Sequence, residues 1–304
     1  MERRTILRGA LMTPFLNNMV ENSTQSIENQ DFKHSKIIKP KRLKAGDTLG
    51  VIAPSSALPE HVIERALGNL TNLGFKLKLG KHLREQKGYL AGTDAQRLED
   101  LHWAFSDPEV DAVWCIRGGY GAARLLPNID FKLIKKNPKI LIGYSDITAL
   151  HVAIYQKTGL ITFHGPVGTS DYTAFTKPNV LNILTKPTPQ YTLMSAEENI
   201  KNESNLYKMH VITAGKCRGQ LIGGNLSLLS SMDGTPYALR DLKGKILFME
   251  DIDERPYRID RMLTQLLQSH DLTQCAGIAL GIFNGCNPTP DENSLSLMEC
   301  LQDR

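Results

Sequence analysis

Residues 140–147 read ILIGYSDI, and this stretch indicates the fold class. Three apolar residues and a glycine predict a short buried strand, and a serine and an aspartate follow one residue later. From residue 147 to residue 157 the apolar positions return at helical spacing. A buried strand, a sharp turn and a helix form the repeating unit of a parallel α/β sheet.

The same alternation is repeated on the N-terminal side of this stretch. Strands are predicted at residues 47–53, 75–79 and 110–115, and helices at residues 60–73, 94–106 and 122–126. Strands that alternate with helices indicate a parallel sheet with helices on both faces. We therefore predict an α/β domain over residues 43–170, with the turn after residue 143 inside it.

The chain changes character after residue 170. Lys-Pro and Thr-Pro pairs interrupt any long element in residues 171–205, which we interpret as a linker with room for a short helix. Residues 206–304 are predicted to form a smaller second domain. Its expected strands lie at residues 217–222, 246–249 and 277–283, and its expected helices lie at residues 260–269 and 294–301.

The N-terminal 42 residues are predicted to be a disordered leader, because residues 17–38 are polar and rich in Asn, Ser and Gln. Residues 2–8 read ERRTILR and resemble a twin-arginine export signal. Two asparagines follow the short apolar core, however, and no small-x-small cleavage site precedes Lys33. A cytoplasmic protein is the favoured interpretation, and export to the periplasm is the alternative.

The composition argues against several classes of function. Hydrophobic residues make up 41% and charged residues 22% of the chain, as in ordinary globular proteins. The net charge of +4 comes with no Lys/Arg stripe interleaved with aromatics, so nucleic acid is not an expected partner. No apolar run reaches the length of a membrane span. The five cysteines form no CxxC pair, so we predict reduced thiols and no metal site.

Two loops at predicted strand ends could carry chemistry. A serine on a sharp strand-to-helix turn, such as Ser145, exposes its hydroxyl as a nucleophile would, although Ile147 replaces the last glycine of a GxSxG elbow. On this motif alone, a helix cap formed by Ser145 or Asp146 is the favoured reading. Residues 117–121 (RGGYG) could point backbone amides at an oxyanion, or could form only a tight turn.

Residues 248–261 (FMEDIDERPYRIDR) carry a third candidate, because a carboxylate at a strand end can orient a histidine. A solvated loop with local ion pairs is the alternative. Together with residues 46–56, 162–166 and 223–226, these segments resemble the LD-carboxypeptidase family of serine peptidases, peptidase family S66. The resemblance implies a flavodoxin-like parallel-sheet N-terminal domain, a smaller β-rich α/β C-terminal domain, and an active site between them. It also implies a Ser-Glu-His triad without cofactor or metal.

By motif matching, the resemblance assigns Ser145 as the nucleophile and Glu250 as the carboxylate of the triad. It places the oxyanion amides at Gly118, Gly119 and Asp146. Three further residues are candidates for substrate contact or site lining: Arg117, His164 and Asn225. For Arg117 the two alternatives are a contact with a carboxylate and a structural role. For His164 a structural hydrogen bond within its own loop is favoured.

The sequence departs from the family in one respect. The family histidine lies in a Gly-His segment well downstream of the glutamate, whereas the last histidine here is His270, at a predicted helix end. We interpret His270 as a surface or capping residue, and His151 as packed on the helix after Ser145. The expectation is an incomplete C-terminal domain and a triad that lacks its histidine, weak or inactive as it stands, with His164 as the best substitute.

The implied activity is release of terminal D-alanine from the L,D bond of murein tetrapeptides in peptidoglycan recycling, through an acyl-enzyme. A microcin immunity-type hydrolase of the same family is one alternative, although Trp103 and Trp114 lie in core-like segments instead of near a nucleotide site. A non-catalytic ligand-binding protein is another. The expected partner is a peptidoglycan-derived tetrapeptide, with a lysine or diaminopimelate stem, and the resemblance is compatible with a homodimer.

Overall fold

The computed structural model describes residues 36–201 and 207–304. The twin-arginine-like segment and most of the expected leader lie outside the described residues. The predicted disorder does not extend to residue 42, because Ile38 forms a parallel bridge with Leu160. Its backbone N–H donates to the carbonyl oxygen of Gly159 at 2.8 Å, and its own carbonyl accepts from the N–H of Ile161 at 2.9 Å.

The first sheet has five strands, all parallel. They are β1 (Thr48–Ile52), β2 (Lys76–Leu79), β3 (Ala112–Cys115), β4 (Ile140–Gly143) and β5 (Phe163–His164). The spatial order β2-β1-β3-β4-β5 is that of flavodoxin-like folds. The predicted fold class is therefore confirmed, and the sheet's carboxyl edge carries the loops after residues 52, 115 and 143.

Helices cover both faces of this sheet. They are α1 (Glu60–Thr71), α2 (Asp94–Ser106), α3 (Phe131–Lys136), α4 (Thr148–Thr158) and α5 (Thr176–Thr185), with 3₁₀ turns at Ala122–Asn128 and Ser145–Ile147. The start of α2 is sharply defined, because Thr93 and Gln96 form a reciprocal capping box. The helix α5 falls inside the predicted linker, and its Val180 and Leu184 are buried in the core of the first sheet.

The second sheet is smaller and also parallel, with the order β6-β7-β8. Its strands are β6 (Leu221–Asn225), β7 (Ile246–Ile252) and β8 (Gly277–Asn284). The helices of this part of the fold are α7 (Leu226–Ser231), α8 (Pro256–Ser269) and α9 (Leu297–Asp303), with a 3₁₀ turn at Leu272–Gln274, and the short helix α6 (Glu197–Lys201) precedes β6 in the chain. None of the helices in the described ranges is long and apolar enough to cross a bilayer.

The strand predicted at residues 217–222 instead occupies Leu221–Asn225, and the helix α7 was not predicted at all. The pairing continues through two glycines, which usually weaken a strand. Glycine is required here, because a side chain at Gly223 would collide with the carbonyl oxygen of Phe248 on β7. Close approach of two backbones therefore places a strand where composition favours a loop.

The two sheets share one hydrophobic core. Leu141 on β4, Leu150 on α4 and Leu247 on β7 belong to a single buried cluster, and α4 packs against both β6 and α7. Lys36–Arg304 accordingly forms one compact unit. The carboxyl ends of β4 and β7 are thereby brought to the same region, and the predicted domain boundaries stay predictions.

His151 illustrates how tightly this shared core is packed. It lies on α4 with only 5% of its surface exposed, and its Nε2 donates to the carbonyl oxygen of Gly143 at 2.8 Å. Burial lowers the pKa of His151 to about 3. The folded chain therefore keeps this imidazole neutral at a pH where the unfolded chain, with a histidine pKa of about 6.5, takes up a proton.

We predict that His151 makes the fold sensitive to mild acid. As pH falls from 7 to 5, protonation of this residue in the unfolded chain alone lowers the free energy of unfolding by about 2 kcal/mol. The variant His151→Gln should therefore show a flatter dependence of unfolding free energy on pH, measured by urea denaturation. The exposed His61 supplies the control, and His61→Gln should leave the slope unchanged. Equal slopes in wild type and His151→Gln would contradict the prediction.

Candidate active site

The turn after β4 holds Ser145 in a strained backbone conformation. Its φ is +61°, a left-handed region that residues with a side chain rarely adopt. Strain of this kind is concentrated at functional sites. No side chain caps the 3₁₀ turn or the helix α4 that follows, so the capping role favoured by the motif alone is wrong for Ser145 and Asp146.

The carboxylate of Asp146 has a different task. It is 2% exposed, and its Oδ2 accepts hydrogen bonds from Ser55 Oγ at 2.6 Å and from the backbone N–H of Ala122 at 2.8 Å. Ser55 follows β1 and Ala122 follows the glycine loop after β3. One buried charge thus connects three strand-end loops, and charge-assisted bonds of this kind are the strong ones.

The glycine loop, residues 117–121, lies directly against the turn that carries Ser145. A Cβ at Gly118 would lie 3.0 Å from Ser145 Cβ and 3.3 Å from Ser145 Oγ, so a side chain there would displace the serine. Gly119 has φ +111° and faces Ser56, whose Oγ accepts from the backbone N–H of Tyr120 at 2.9 Å. The structure therefore brings together Gly118, a candidate for an oxyanion amide, and Ser145, the candidate nucleophile.

Glu250 reaches the site from the central strand of the second sheet, β7. Its side chain is 21% exposed. Burial, with a smaller contribution from the neighbouring charge of Asp251, raises the pKa of Glu250 to about 7. A hydrogen bond from Asn225 acts in the opposite direction. The site therefore holds a carboxyl group that changes its charge near neutral pH.

His164, at the end of β5, faces Glu250 across the two sheets. Its Nε2 lies 3.5 Å from Glu250 Oε1, and burial lowers the pKa of His164 to about 4. Its Nδ1 lies 3.2 Å from the position of a Cβ on Gly224 and has no hydrogen-bond partner among the described residues. The favoured hydrogen bond within its own loop is therefore not formed. Neither ring nitrogen is bonded to Ser145, and His164 instead borders the carboxyl group of Glu250.

Asn225 joins the second sheet to α4, the helix that follows Ser145. It is buried, its Nδ2 donates to Asp251 Oδ1 at 3.0 Å, and its Oδ1 caps α7 by accepting from the N–H of Leu228. Its backbone N–H donates to Thr148 Oγ1 at 3.0 Å. Because Asn225 is also the ladder partner of Glu250, this network sets where the carboxylate stands relative to α4.

Three residues of this arrangement were not predicted, namely Ser55, Thr148 and Asp251. The only local signals were their positions, since Ser55 follows β1, Thr148 begins α4 and Asp251 is next to Glu250. Of the other candidates, Arg117 is half-buried and donates from Nη1 to the carbonyl oxygen of Ala57 at 3.1 Å. His270 is bonded through Nε2 to Asp233 Oδ1 at 3.1 Å, at the end of α8.

A cavity of about 250 Å³ opens beside His164, between α4, β5, β6 and β7. Its walls include His151, Tyr155, Phe163, Gln220 and Phe248. Within residues 36–201 and 207–304, no group of three or more His, Cys, Asp or Glu side chains is arranged to hold a metal ion. The chemistry available to these residues is that of a serine hydroxyl, backbone amides and a carboxyl group.

Comparison with known proteins agrees with this geometry. A model of the LD-carboxypeptidase N-terminal domain matches residues 49–165, and one of the LD-carboxypeptidase C-terminal domain matches residues 218–304. The first match includes Ser145 and the glycine loop, and the second includes Asn225 and Glu250.

Individual relatives extend the similarity over most of the chain. A Bacillus subtilis protein named "Probable murein peptide carboxypeptidase" is 49% identical over 265 residues, which is 87% of this chain and 81% of the relative. The murein tetrapeptide carboxypeptidase of Pseudomonas aeruginosa is 40% identical over 245 residues, 78% of this chain and 77% of the relative.

The solved structure of an MccF-like protein from Bacillus anthracis superimposes with a TM-score of 0.73 at 32% identity. The superposition covers 88% of this chain and 86% of that structure. Sequence, family models and fold thus agree, and the chain belongs to the LD-carboxypeptidase family.

Proposed function

We propose that this protein is a serine carboxypeptidase that releases the terminal D-alanine of murein tetrapeptides in peptidoglycan recycling. The observation that carries the proposal is the strained Ser145 at the carboxyl edge of a parallel sheet, with its Oγ 3.3 Å from the place that a Cβ would occupy on Gly118. Open α/β sheets bind their ligands at this edge. The names of the Bacillus subtilis and Pseudomonas aeruginosa relatives support murein peptides as the substrate class.

The proposed reaction is acyl transfer in two steps. Ser145 Oγ attacks the carbonyl carbon between the L-configured centre and D-alanine, and its proton passes to a base. Backbone amides of Gly118, Gly119 and Asp146 stabilise the oxyanion. The C–N bond then breaks, the amine of D-alanine takes up the proton and leaves, and water hydrolyses the acyl-enzyme. Glu250 is the carboxylate that orients the base, a histidine in the family pattern.

His164 and Asn225 support Glu250 in this proposal and do not contact the reacting atoms. His164 is neutral near pH 7, and its Nε2 borders Glu250 Oε1 at 3.5 Å. Asn225 is fixed by Asp251 and Thr148 and stands opposite Glu250 in the ladder. Peptide is favoured over nucleotide as substrate, since Trp114 is buried in β3 and Trp103 donates its Nε1–H to Asp107.

Replacing Ser145 tests the proposal directly. We expect Ser145→Ala to abolish the serine-dependent release of D-alanine from a murein tetrapeptide, because the attacking oxygen is removed and only the small acceleration from binding and the backbone amides remains. Ser106→Ala is the matched control, since Ser106 ends α2 at the opposite edge of the sheet and should leave the rate unchanged. Cleavage of an aminoacyl sulfamoyl nucleotide but not of the tetrapeptide would favour an immunity-type hydrolase. Tetrapeptide binding without any hydrolysis would favour a non-catalytic protein.

The base can be tested by chemical rescue. In the described ranges, Ser145 Oγ has no hydrogen bond to a histidine. We therefore expect a protein of these 304 residues to release D-alanine slowly. Imidazole added to the assay should accelerate D-alanine release by roughly tenfold or more, recovering part of the 10²- to 10⁴-fold that a positioned base supplies. The acceleration should be absent in Ser145→Ala. Fast hydrolysis that does not respond to imidazole would mean that a residue of this chain already acts as the base.

The carboxyl group of Glu250 should titrate near neutrality. We expect a midpoint near pH 7 in carbon-13 NMR of labelled protein, above the ordinary glutamate value, because the buried site penalises the charge. The ionised fraction therefore rises as pH increases through 7. Asp251→Asn should move the midpoint downwards, since it removes a like charge, and Glu250→Gln should delete the resonance. A midpoint near 4.5 in the wild type would contradict the burial seen at this site.

A further inference from the structure

Arg117 is a cation at the edge of the candidate site, and no carboxylate among the described residues forms an ion pair with it. Its guanidinium donates one hydrogen bond, to the carbonyl oxygen of Ala57, and across residues 36–201 and 207–304 it forms no ion pair within 4.0 Å. The neighbouring arginines differ, because Arg97 and Arg124 both bind the carboxylate of Asp94. An arginine guanidinium carries more N–H donors than this one hydrogen bond uses, so Arg117 can still bind an anionic ligand.

The position of Arg117 relates this charge to the reacting bond. It directly precedes Gly118, where a Cβ would lie 3.3 Å from Ser145 Oγ. Its Nη2 lies 3.5 Å from the place that a Cβ would occupy on Gly119. The guanidinium therefore lies along the glycine loop, next to the turn that carries Ser145. It stands on the side of the glycine loop that faces Ala57, in the loop after β1.

The proposed substrate brings an anion to this place. In a peptide cleaved before its last residue, the terminal carboxylate carbon is three covalent bonds from the carbonyl carbon under attack, at most about 4 Å away. A carboxylate that leaves water for such a site needs a cation or several donors. The planar guanidinium offers two parallel N–H groups that match a carboxylate in geometry.

We propose that Arg117 binds the terminal carboxylate of the residue that is released, and so restricts the site to peptides with a free carboxyl terminus. The proposal rests on the proposed cleavage at Ser145. It explains how a serine site on an open sheet edge selects the last peptide bond of a stem over internal bonds. A purely structural Arg117, holding only Ala57, would affect a free acid and the corresponding amide equally.

Binding measurements separate these two roles without relying on turnover. In the full chain carrying Ser145→Ala, calorimetry would compare L-Ala-γ-D-Glu-L-Lys-D-Ala with the same peptide ending in D-alaninamide. The parent should bind the acid roughly 10- to 100-fold more tightly than the amide, the range expected for a charge-assisted contact. Adding Arg117→Gln should lower the affinity for the acid peptide to that for the amide peptide, and it should leave the affinity for the amide peptide unchanged. Arg117→Lys should restore part of the difference.

Arg124→Gln is the matched control, because it removes a positive charge just beyond the glycine loop and should preserve the preference for the acid. The proposal is overturned by equal affinities in the parent, by an equal loss for both peptides in Arg117→Gln, or by no binding of either peptide at millimolar concentration. Hydrolysis assays with Ser145 in place report on the proposed function alone. A preference for the acid in a protein that never hydrolyses would leave Arg117 as a carboxylate contact in a binding protein.

Discussion

The buried carboxylate of Asp146 is the interaction on which the candidate site depends. It accepts from Ser55 Oγ and from the backbone N–H of Ala122, and so fixes the loops after β1 and β3 to the turn that carries Ser145. Hydrogen bonds to a charged group contribute about 1.5–3 kcal/mol each, and an unpaired buried charge costs more. The turn cannot relax into an ordinary helix start without abandoning these bonds, which accounts for the positive φ of Ser145.

The second constraint is the close approach of backbones where the two sheets meet. Gly118 leaves room for Ser145, and Gly224 leaves room for His164 and Thr148. The hydrogen bond from the N–H of Asn225 to Thr148 Oγ1 then connects β6 to the helix that begins after Ser145. Serine and carboxylate thus come from different sheets that share one core, so their geometry is as rigid as that core.

Elements with a complete local signal were predicted to the residue. The strand Ile140–Gly143 is fully buried, and the helix Asp94–Ser106 begins at a capping box. Elements that depend on distant partners were misplaced. The strand Leu221–Asn225 exists because glycines let it pair closely with β7, and the helix Thr176–Thr185 forms in a Pro-rich segment because two of its residues are buried in the first core. Local propensity is a weak guide where packing overrides it.

The sequence by itself determined the α/β alternation, the order of the motifs and hence the family, because each depends on residues that are neighbours along the chain. It did not determine whether Ser145 and Asp146 cap a helix or build a site, since both arrangements use the same residues before α4. Only the tertiary structure decided that neither side chain caps the helix, because the partner of Asp146 is Ser55, 91 residues away. The contact of His164 with Glu250 was likewise decided by the packing of two sheets, which no local pattern encodes.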